Sequence, residues 1–323
     1  MAVQCDLCPK RCVIEPGQSG ECRIRVNVAD RLVAVTYGYP CAIHVDPIEK
    51  KPLYHFLPGT PILSIATAGC NLHCKNCQNW EISQANPEDT KAYYLPPEKL
   101  LQAAREYECR SIAYTYTEPN VYYEYALDSC IRARECGLKN VLVTAGYINP
   151  EPMERLYRRV DAANIDLKAF SEAFYRDVCG ATLAPVLDTL VRAKTLGVWV
   201  EVTNLVIPTL NDSDAELTAL CRWVVENMGR DTPLHFSQFY PQHQMRHLPA
   251  TPADTLDRAR AIALAESLHY VYIGNIRRPD SATTHCPGCD AVVIERVGYE
   301  VARNRLRGGK CPECDARVHG VWQ

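Results

Sequence analysis

An export signal is the first thing missing. The opening, Met1-Ala-Val-Gln-Cys5-Asp-Leu-Cys8-Pro-Lys-Arg-Cys12, holds no apolar run long enough for a signal peptide or a membrane helix. The chain is therefore expected in the reducing cytoplasm, away from membranes. An excess of one charge is missing too: 35 Lys and Arg stand against 38 Asp and Glu, for a net charge of −3. That balance gives no electrostatic case for nucleic acid as the partner. Internal repeats, low-complexity tracts and long flexible linkers are absent as well. With 47% hydrophobic and 23% charged residues, the 323-residue chain has the composition of globular material and not of a disordered one. Its length allows one large α/β domain with small appendages, or two medium domains. What the chain has in excess is cysteine, with seventeen. In a reducing compartment many thiols mean metal or redox chemistry rather than disulfides.

The cysteines fall in groups. Cys5, Cys8, Cys12, Cys22 and Cys41 lie at the start, Cys70, Cys74 and Cys77 form a tight triplet, and Cys286, Cys289, Cys311 and Cys314 close the chain. Cys109, Cys130, Cys136, Cys179 and Cys221 are scattered through helical or strand-like sequence and are read as small packing residues. The grouping divides the chain into an N-terminal Cys-rich module (1–60), a central α/β unit (61–283) and a C-terminal ribbon-like module (284–323).

The central unit alternates apolar strand candidates with amphipathic helices. The strands are Ile62–Ala66, Ser111–Tyr116, Asn140–Thr144, Ala162–Asp166, Val198–Leu205, Leu234–Phe236 and Tyr270–Ile273. One helix opens on a capping box, Ser213 to Glu216, and stops at Gly229; another follows Thr251-Pro252 as cap and first turn. Such alternation predicts parallel strands with helical crossovers. In α/β sheets of this kind the chemistry sits in loops at the carboxyl ends of the strands.

The first of those loops reads Thr67-Ala68-Gly69-Cys70-Asn71-Leu72-His73-Cys74-Lys75-Asn76-Cys77. Three thiolates spaced C-x3-C-x2-C can hold three corners of a cubane iron–sulfur cluster, leaving one iron open. The competing reading is a zinc loop completed by His73. This loop resembles the signature of the radical S-adenosylmethionine (SAM) superfamily, and the resemblance extends over most of residues 61–275. It implies a (β/α)6-type partial TIM-like barrel, with Cys70, Cys74 and Cys77 as catalytic ligands of a [4Fe-4S] cluster. It further implies SAM bound at the open iron, an electron from a flavodoxin- or ferredoxin-type reductant, and a 5′-deoxyadenosyl radical that takes hydrogen from the substrate. Many members place an aromatic residue before the third cysteine; here Asn76 stands there.

Later loops carry polar residues suited to SAM. Tyr114-Thr-Tyr-Thr117-Glu118-Pro119 is similar to the family's Gly-Gly-Glu-Pro turn, in which the acidic residue and backbone carbonyls receive the SAM ammonium. On residues alone it reads equally as a capping Glu-Pro turn. Thr144-Ala-Gly-Tyr147 resembles the Thr-Asn-Gly turn of activating enzymes. Asp166-Leu-Lys168 resembles the Asp-x-Lys pair of the pyruvate formate-lyase activating group, which contacts the ribose and carboxylate; an ordinary strand-end ion pair is the alternative. Asn204 is a further candidate. The long connection from His235 to Pro252 holds His235, His243 and His247, which could face substrate or a metal.

At the end of the chain, Cys286-Pro-Gly-Cys289 and Cys311-Pro-Glu-Cys314 have zinc-ribbon spacing and are read as a structural zinc site. At the start, Cys5, Cys8, Cys12 and Cys22 would satisfy zinc or an auxiliary cluster, with Cys41 a fifth candidate and zinc the preferred reading. The whole set, with Lys51-Pro-Leu-Tyr-His-Phe-Leu-Pro-Gly59, Tyr272-Ile-Gly-Asn275 and Gly320-Val-Trp322, resembles the AmmeMemoRadiSam-system radical SAM enzymes. That resemblance implies kinship with glycyl-radical activating enzymes and association with Memo-like and AMMECR-like proteins. The substrate would be a protein glycine or a small molecule. The rival reading is a metal-stapled binding module that acts on protein or nucleic acid without radical chemistry.

Overall fold

A computed structural model describes residues 1–276 and 278–323. Its centre is one eight-stranded sheet: β1 (Ala42–Pro47), β2 (Pro61–Ala66), β3 (Ser111–Tyr114), β4 (Lys139–Thr144), β5 (Ala162–Asp166), β6 (Trp199–Val206), β7 (Leu234–Gln238) and β8 (Val271–Gly274). Neighbours in sequence are neighbours in the sheet, and the seven strands from β2 to β8 run parallel. Each expected strand is found. The sheet goes one parallel strand beyond six, and β1 and β8 remain its two edges, so the barrel is open.

The strands are sealed on both faces, as parallel strands flanked by helices must be. All five residues of β7 and the last five of β2 are buried. The crossovers are carried by α1 (Pro97–Glu106), α2 (Tyr123–Glu135), α3 (Pro150–Tyr157), α4 (Ala184–Thr195), α5 (Asp214–Met228) and α6 (Ala253–Ala265). In α5 the expected face is buried through Leu217, Leu220, Cys221, Val224 and Met228, and the Ser213 hydroxyl caps the Glu216 N–H. The reciprocal half of the capping box is not made, because the Glu216 carboxylate accepts from the Phe170 N–H at 3.0 Å instead. Thr251 does not cap α6 either. Its hydroxyl donates to the Val206 carbonyl at 2.6 Å and accepts from the Phe239 N–H at 2.9 Å, tying a loop to β6.

The segment before residue 61 is joined to the barrel. β1 pairs antiparallel with β2 from Ala42↔Ala66 to Pro47↔Pro61, and with His44, Val45 and Pro47 exposed it has the solvent contact of an edge strand. Ahead of it lie two small hairpins, Val3–Gln4 with Val13–Ile14 and Arg25–Val28 with Arg31–Ala34.

Residues 284–304 form a three-stranded antiparallel sheet that packs on Tyr54, Tyr270 and Tyr272. Arg296, fully buried, stands 3.4 Å from Glu49 and donates to the carbonyls of Tyr54 (2.6 Å) and Ala282 (3.0 Å). Leu57 and Val321 exchange backbone contact as well, with the Leu57 N–H on the Val321 carbonyl at 2.7 Å. The last segment of the chain is thereby fastened to residues 49–57, beside the first parallel strand.

Candidate active site

The carboxyl ends of the parallel strands open on one cavity, and the three-cysteine loop forms part of its wall. Cys70, Cys74, Cys77, Thr117, Glu118, Thr144, Asp166 and Lys168 all line it. The loop turns at Gly69 with φ +92°, pressed so closely on the N-terminal segment that a Cβ there would sit 2.4 Å from the Cys22 carbonyl oxygen. The Leu72 N–H donates to Cys70 Sγ at 3.4 Å, and Cys77 Sγ lies 3.2 Å from the Ser83 hydroxyl. His73 belongs to a different network: its ring meets Gln84 at 3.1 Å and Glu21 at 3.2 Å, and it does not line the cavity. The zinc reading that required His73 loses its fourth ligand.

Burial pushes the Cys70 and Cys77 thiols up, whereas a hydrogen bond from Cys179 holds Cys74 down. Cys179, assigned on sequence to packing, thus stands beside the triplet, and its carbonyl accepts from the His73 N–H at 2.9 Å.

Glu118 is buried and held by three donors. The Thr144 hydroxyl reaches it at 2.6 Å, the Ala145 N–H at 2.7 Å and the Asn120 N–H at 3.1 Å. Desolvation still raises its pKa to about 7, because these neutral dipoles replace water only in part. The Thr117 hydroxyl is committed to the Thr67 carbonyl at 2.8 Å, so Thr117 offers the cavity its backbone. Asp166 and Lys168 pair with each other at 2.8 Å on the cavity wall. Lys168 stays protonated: burial opposes the charge, but Asp166 and the thiols of Cys74 and Cys179 outweigh it. Asn204 does not line the cavity; its amide donates to the carbonyls of Leu167 (2.8 Å) and Lys168 (3.2 Å) and sets the path of that strand end.

Two features were not legible as site residues. Lys51 lines the cavity, buried and 2.6 Å from Asp46, and burial lowers its pKa to about 8. In sequence it stands only at the head of the Lys51–Gly59 stretch, with no site role attached to it. Tyr299, from the C-terminal module, also reaches the cavity wall, together with Ser237 and Asn275. The histidines of the long connection are placed elsewhere. His235, the second residue of β7, is buried on Glu201 at 2.7 Å at the amino end of the strands, and His243 stacks on Trp80.

The donor set fits a cluster with SAM. The triplet thiols do not converge as ligands of a single ion would: among the described residues, the only three or more ligand atoms within 4.8 Å of one another are those of Cys286, Cys289, Cys311 and Cys314. Asn76 Oδ1 and Thr203 Oγ1 are buried in residues of the cavity wall and lack a protein partner, as acceptors kept for a ligand's N–H and O–H groups would be. A buried carboxylate and a buried ammonium on the wall of one cavity suit an amino-acid head group.

Residues 64–221 match the family model described as the Radical SAM superfamily. The chain belongs to the radical SAM superfamily. It is 48% identical over 318 residues to the uncharacterized protein MJ0808 of Methanocaldococcus jannaschii, covering 98% of this chain and 95% of that one. It is also 24% identical over 163 residues to the pyruvate formate-lyase-activating enzyme of Clostridium pasteurianum, covering 50% of this chain and 67% of that enzyme. In structure, SuiB of Streptococcus suis, solved with S-adenosylmethionine, superposes with a TM-score of 0.53 at 11% identity, over 71% of this chain and 53% of SuiB. The chain thus spans about half the length of SuiB, and the likeness is one of fold. Radical SAM members are enzymes, so a [4Fe-4S] cluster and SAM are the family's cofactors here, and the reading as a non-radical binding module finds no support.

The terminal cysteines separate cleanly. In the C-terminal module Cys286 and Cys314 Sγ stand 3.5 Å apart, and Cys289 and Cys311 Sγ 3.7 Å. Cys5, Cys8, Cys12 and Cys22 line one cavity of their own, while Cys41 lies apart at the edge of β1, its N–H on the Ala66 carbonyl. None of the seventeen cysteines is in a disulfide. No described helix is long and apolar enough to cross a membrane.

Proposed function

We propose that this chain is a radical SAM enzyme of the activating-enzyme type, with Cys70, Cys74 and Cys77 as the three ligands of its [4Fe-4S] cluster. The observation that supports it most is the convergence of those thiols, Glu118, Thr144, Asp166 and Lys168 on one cavity. When bound, the cluster supplies the electron that cleaves SAM to a 5′-deoxyadenosyl radical. The chain's own residues do the rest. Glu118, ionised and already braced by Thr144, Ala145 and Asn120, receives the SAM ammonium. Lys168 neutralises the carboxylate and Asp166 accepts from the ribose, which exchanges their mutual ion pair for contacts to the ligand. The barrel wall excludes water from the radical's path.

The substrate side is a second cavity that shares Gln78, Asn79, Asn275 and Tyr299 with the first. Its lining of Tyr240, Tyr299 and Arg278 suits a polar chain segment or a small anionic molecule, so a protein glycine and a small molecule both remain substrates of the right class. We further assign zinc to Cys286, Cys289, Cys311 and Cys314: a tetrahedral ion with bonds of about 2.3 Å sets its sulfurs about 3.8 Å apart. A flavodoxin- or ferredoxin-type protein is the reductant, and the AmmeMemoRadiSam resemblance makes Memo-like and AMMECR-like proteins the associates to test.

Anaerobic reconstitution with iron and sulfide, followed by reductant and SAM, checks the reading. 5′-Deoxyadenosine is the expected product, and Cys74→Ala removes it. Absence of that product from a protein with a fully assembled cluster overturns the proposal.

A further inference from the structure

We infer that Cys5, Cys8, Cys12 and Cys22 hold a second [4Fe-4S] cluster, not zinc, placed to hand one electron to the cluster at Cys70, Cys74 and Cys77. The inference rests on the radical SAM reading for its role and, through the comparison with the triplet loop, for its metal.

The chain contains its own standard for each kind of site. At the C-terminal site, four thiols converge within 4.8 Å of one another, as four ligands on one tetrahedral ion must. The triplet loop, whose family cofactor is a cluster, shows no such convergence. The N-terminal four share one cavity, yet no three of their sulfurs approach within that distance. Thiolates that each bind a different iron stand farther apart than thiolates that share an ion. By this comparison the N-terminal set belongs with the cluster ligands.

Arg25 supplies an independent observation. It is 5% exposed and lines the same cavity. Its two terminal nitrogens are held by Glu124, at 3.0 and 2.7 Å, but its buried Nε has no protein partner. A buried donor left open beside four thiols calls for an acceptor, and cluster sulfurs are acceptors whose hydrogen bonds tune the potential.

Position supplies the role. The cysteine cavity backs directly onto the catalytic loop, and Cys70 is bracketed by it. Gly69, on one side, presses on the Cys22 carbonyl. Asn71, on the other, brings its side chain to the Cys8 thiol and lines the cysteine cavity. Cys8, Cys12 and Cys22 are partly exposed, so the same site faces solvent, where a protein donor docks. The donor, of flavodoxin or ferredoxin class, loses one electron; the N-terminal cluster gains it and is reoxidised as the Cys70–Cys74–Cys77 cluster is reduced. No bond to cysteine is made or broken and no proton moves.

Metal and sulfide analysis of the anaerobically reconstituted full chain tests the site. We expect twice the iron and labile sulfide of a single cubane, plus one zinc. The triple variant Cys70→Ala, Cys74→Ala, Cys77→Ala keeps half the iron and a reducible cluster whose EPR signal SAM does not alter. Cys8→Ser with Cys12→Ser keeps the other half, with a signal that SAM does alter, and the ratio of flavodoxin-driven to dithionite-driven 5′-deoxyadenosine release falls severalfold. A single cubane and two zinc ions in the wild-type chain, or loss of all iron from the triple variant, overturns the second cluster. An unchanged donor ratio overturns the relay. Cluster retention in the triple variant is read without any SAM chemistry, so failure of this inference and failure of the radical SAM reading give different results.

Discussion

Glu118 is a carboxylate held by three neutral donors, and the Lys168 charge only partly offsets its burial. Its pKa of about 7 lies above the ordinary 4.5, so the folded state resists its ionisation. The stability it contributes is full below the unfolded pKa and is lost as pH rises through about 7, a loss on the order of 3 kcal/mol at 1.36 kcal/mol per pKa unit. In the proposed site SAM's ammonium would reverse that sign, because it would bind the ionised form. We predict that SAM affinity of the reconstituted protein rises as pH passes through about 7 and that Glu118→Gln flattens this dependence, as binding titrations from acid to alkaline buffer will show. The same variant melts less steeply with rising pH in the absence of SAM. Glu118 was legible because Glu-Pro after an apolar strand puts a carboxylate at a strand's carboxyl end. Cys179 was not, since its approach to Cys74 depends on the wide helical turn Tyr175–Cys179, which brings together residues about a hundred positions apart. Lys51 escaped for the same reason: only the pairing of β1 with β2 shows which way that segment runs.

Two elements carry loads that can be measured. Ser213 alone caps α5, without the reciprocal contact from Glu216, so Ser213→Ala is predicted to cost about 1 kcal/mol in urea denaturation and to leave SAM cleavage intact. Gly69 is different in kind. An alanine there would combine a φ of +92° with a 2.4 Å approach to the Cys22 carbonyl and 2.6 Å to Ile24, so the two cysteine segments must part. Gly69→Ala is predicted to lower the melting temperature and to reduce iron content after reconstitution. Element type and order were legible because each strand is a short apolar run bounded by an amphipathic helix. The caps were legible only in part: Thr251 and Glu216 have the right chemistry at the right spacing, but neighbouring strands and loops offered their N–H and carbonyl groups better partners. The antiparallel β1 was hidden because its alternation of apolar and polar residues runs only from Ile43 to Asp46, too short to stand out, and its place at the edge is decided by β2.

At the scale of the molecule, the C-terminal module completes the cavity wall through Tyr299 and is tied to residues 49–57 by Arg296 and Val321. Stripping its metal with a chelator is predicted to release one zinc and to raise hydrogen exchange across 284–323 and 49–57, while β4 to β7 stay protected. Replacing Arg296 by Met alone leaves Glu49 buried without its cation, so it is predicted to cost about 3–5 kcal/mol in urea denaturation, whereas Glu49→Leu with Arg296→Met costs less. The fastening also fixes an order of manufacture. Arg296 meets a partner 247 residues earlier, and His319 meets His55 at a separation of 264, so the longest loop in the fold closes only after almost the whole sequence has left the ribosome. Until then the cavity beside the three-cysteine loop lacks the part of its wall that Tyr299 supplies. With zinc at the C-terminal site as proposed, protein made under zinc depletion is expected to lose its reconstituted iron faster in air than the zinc-loaded chain.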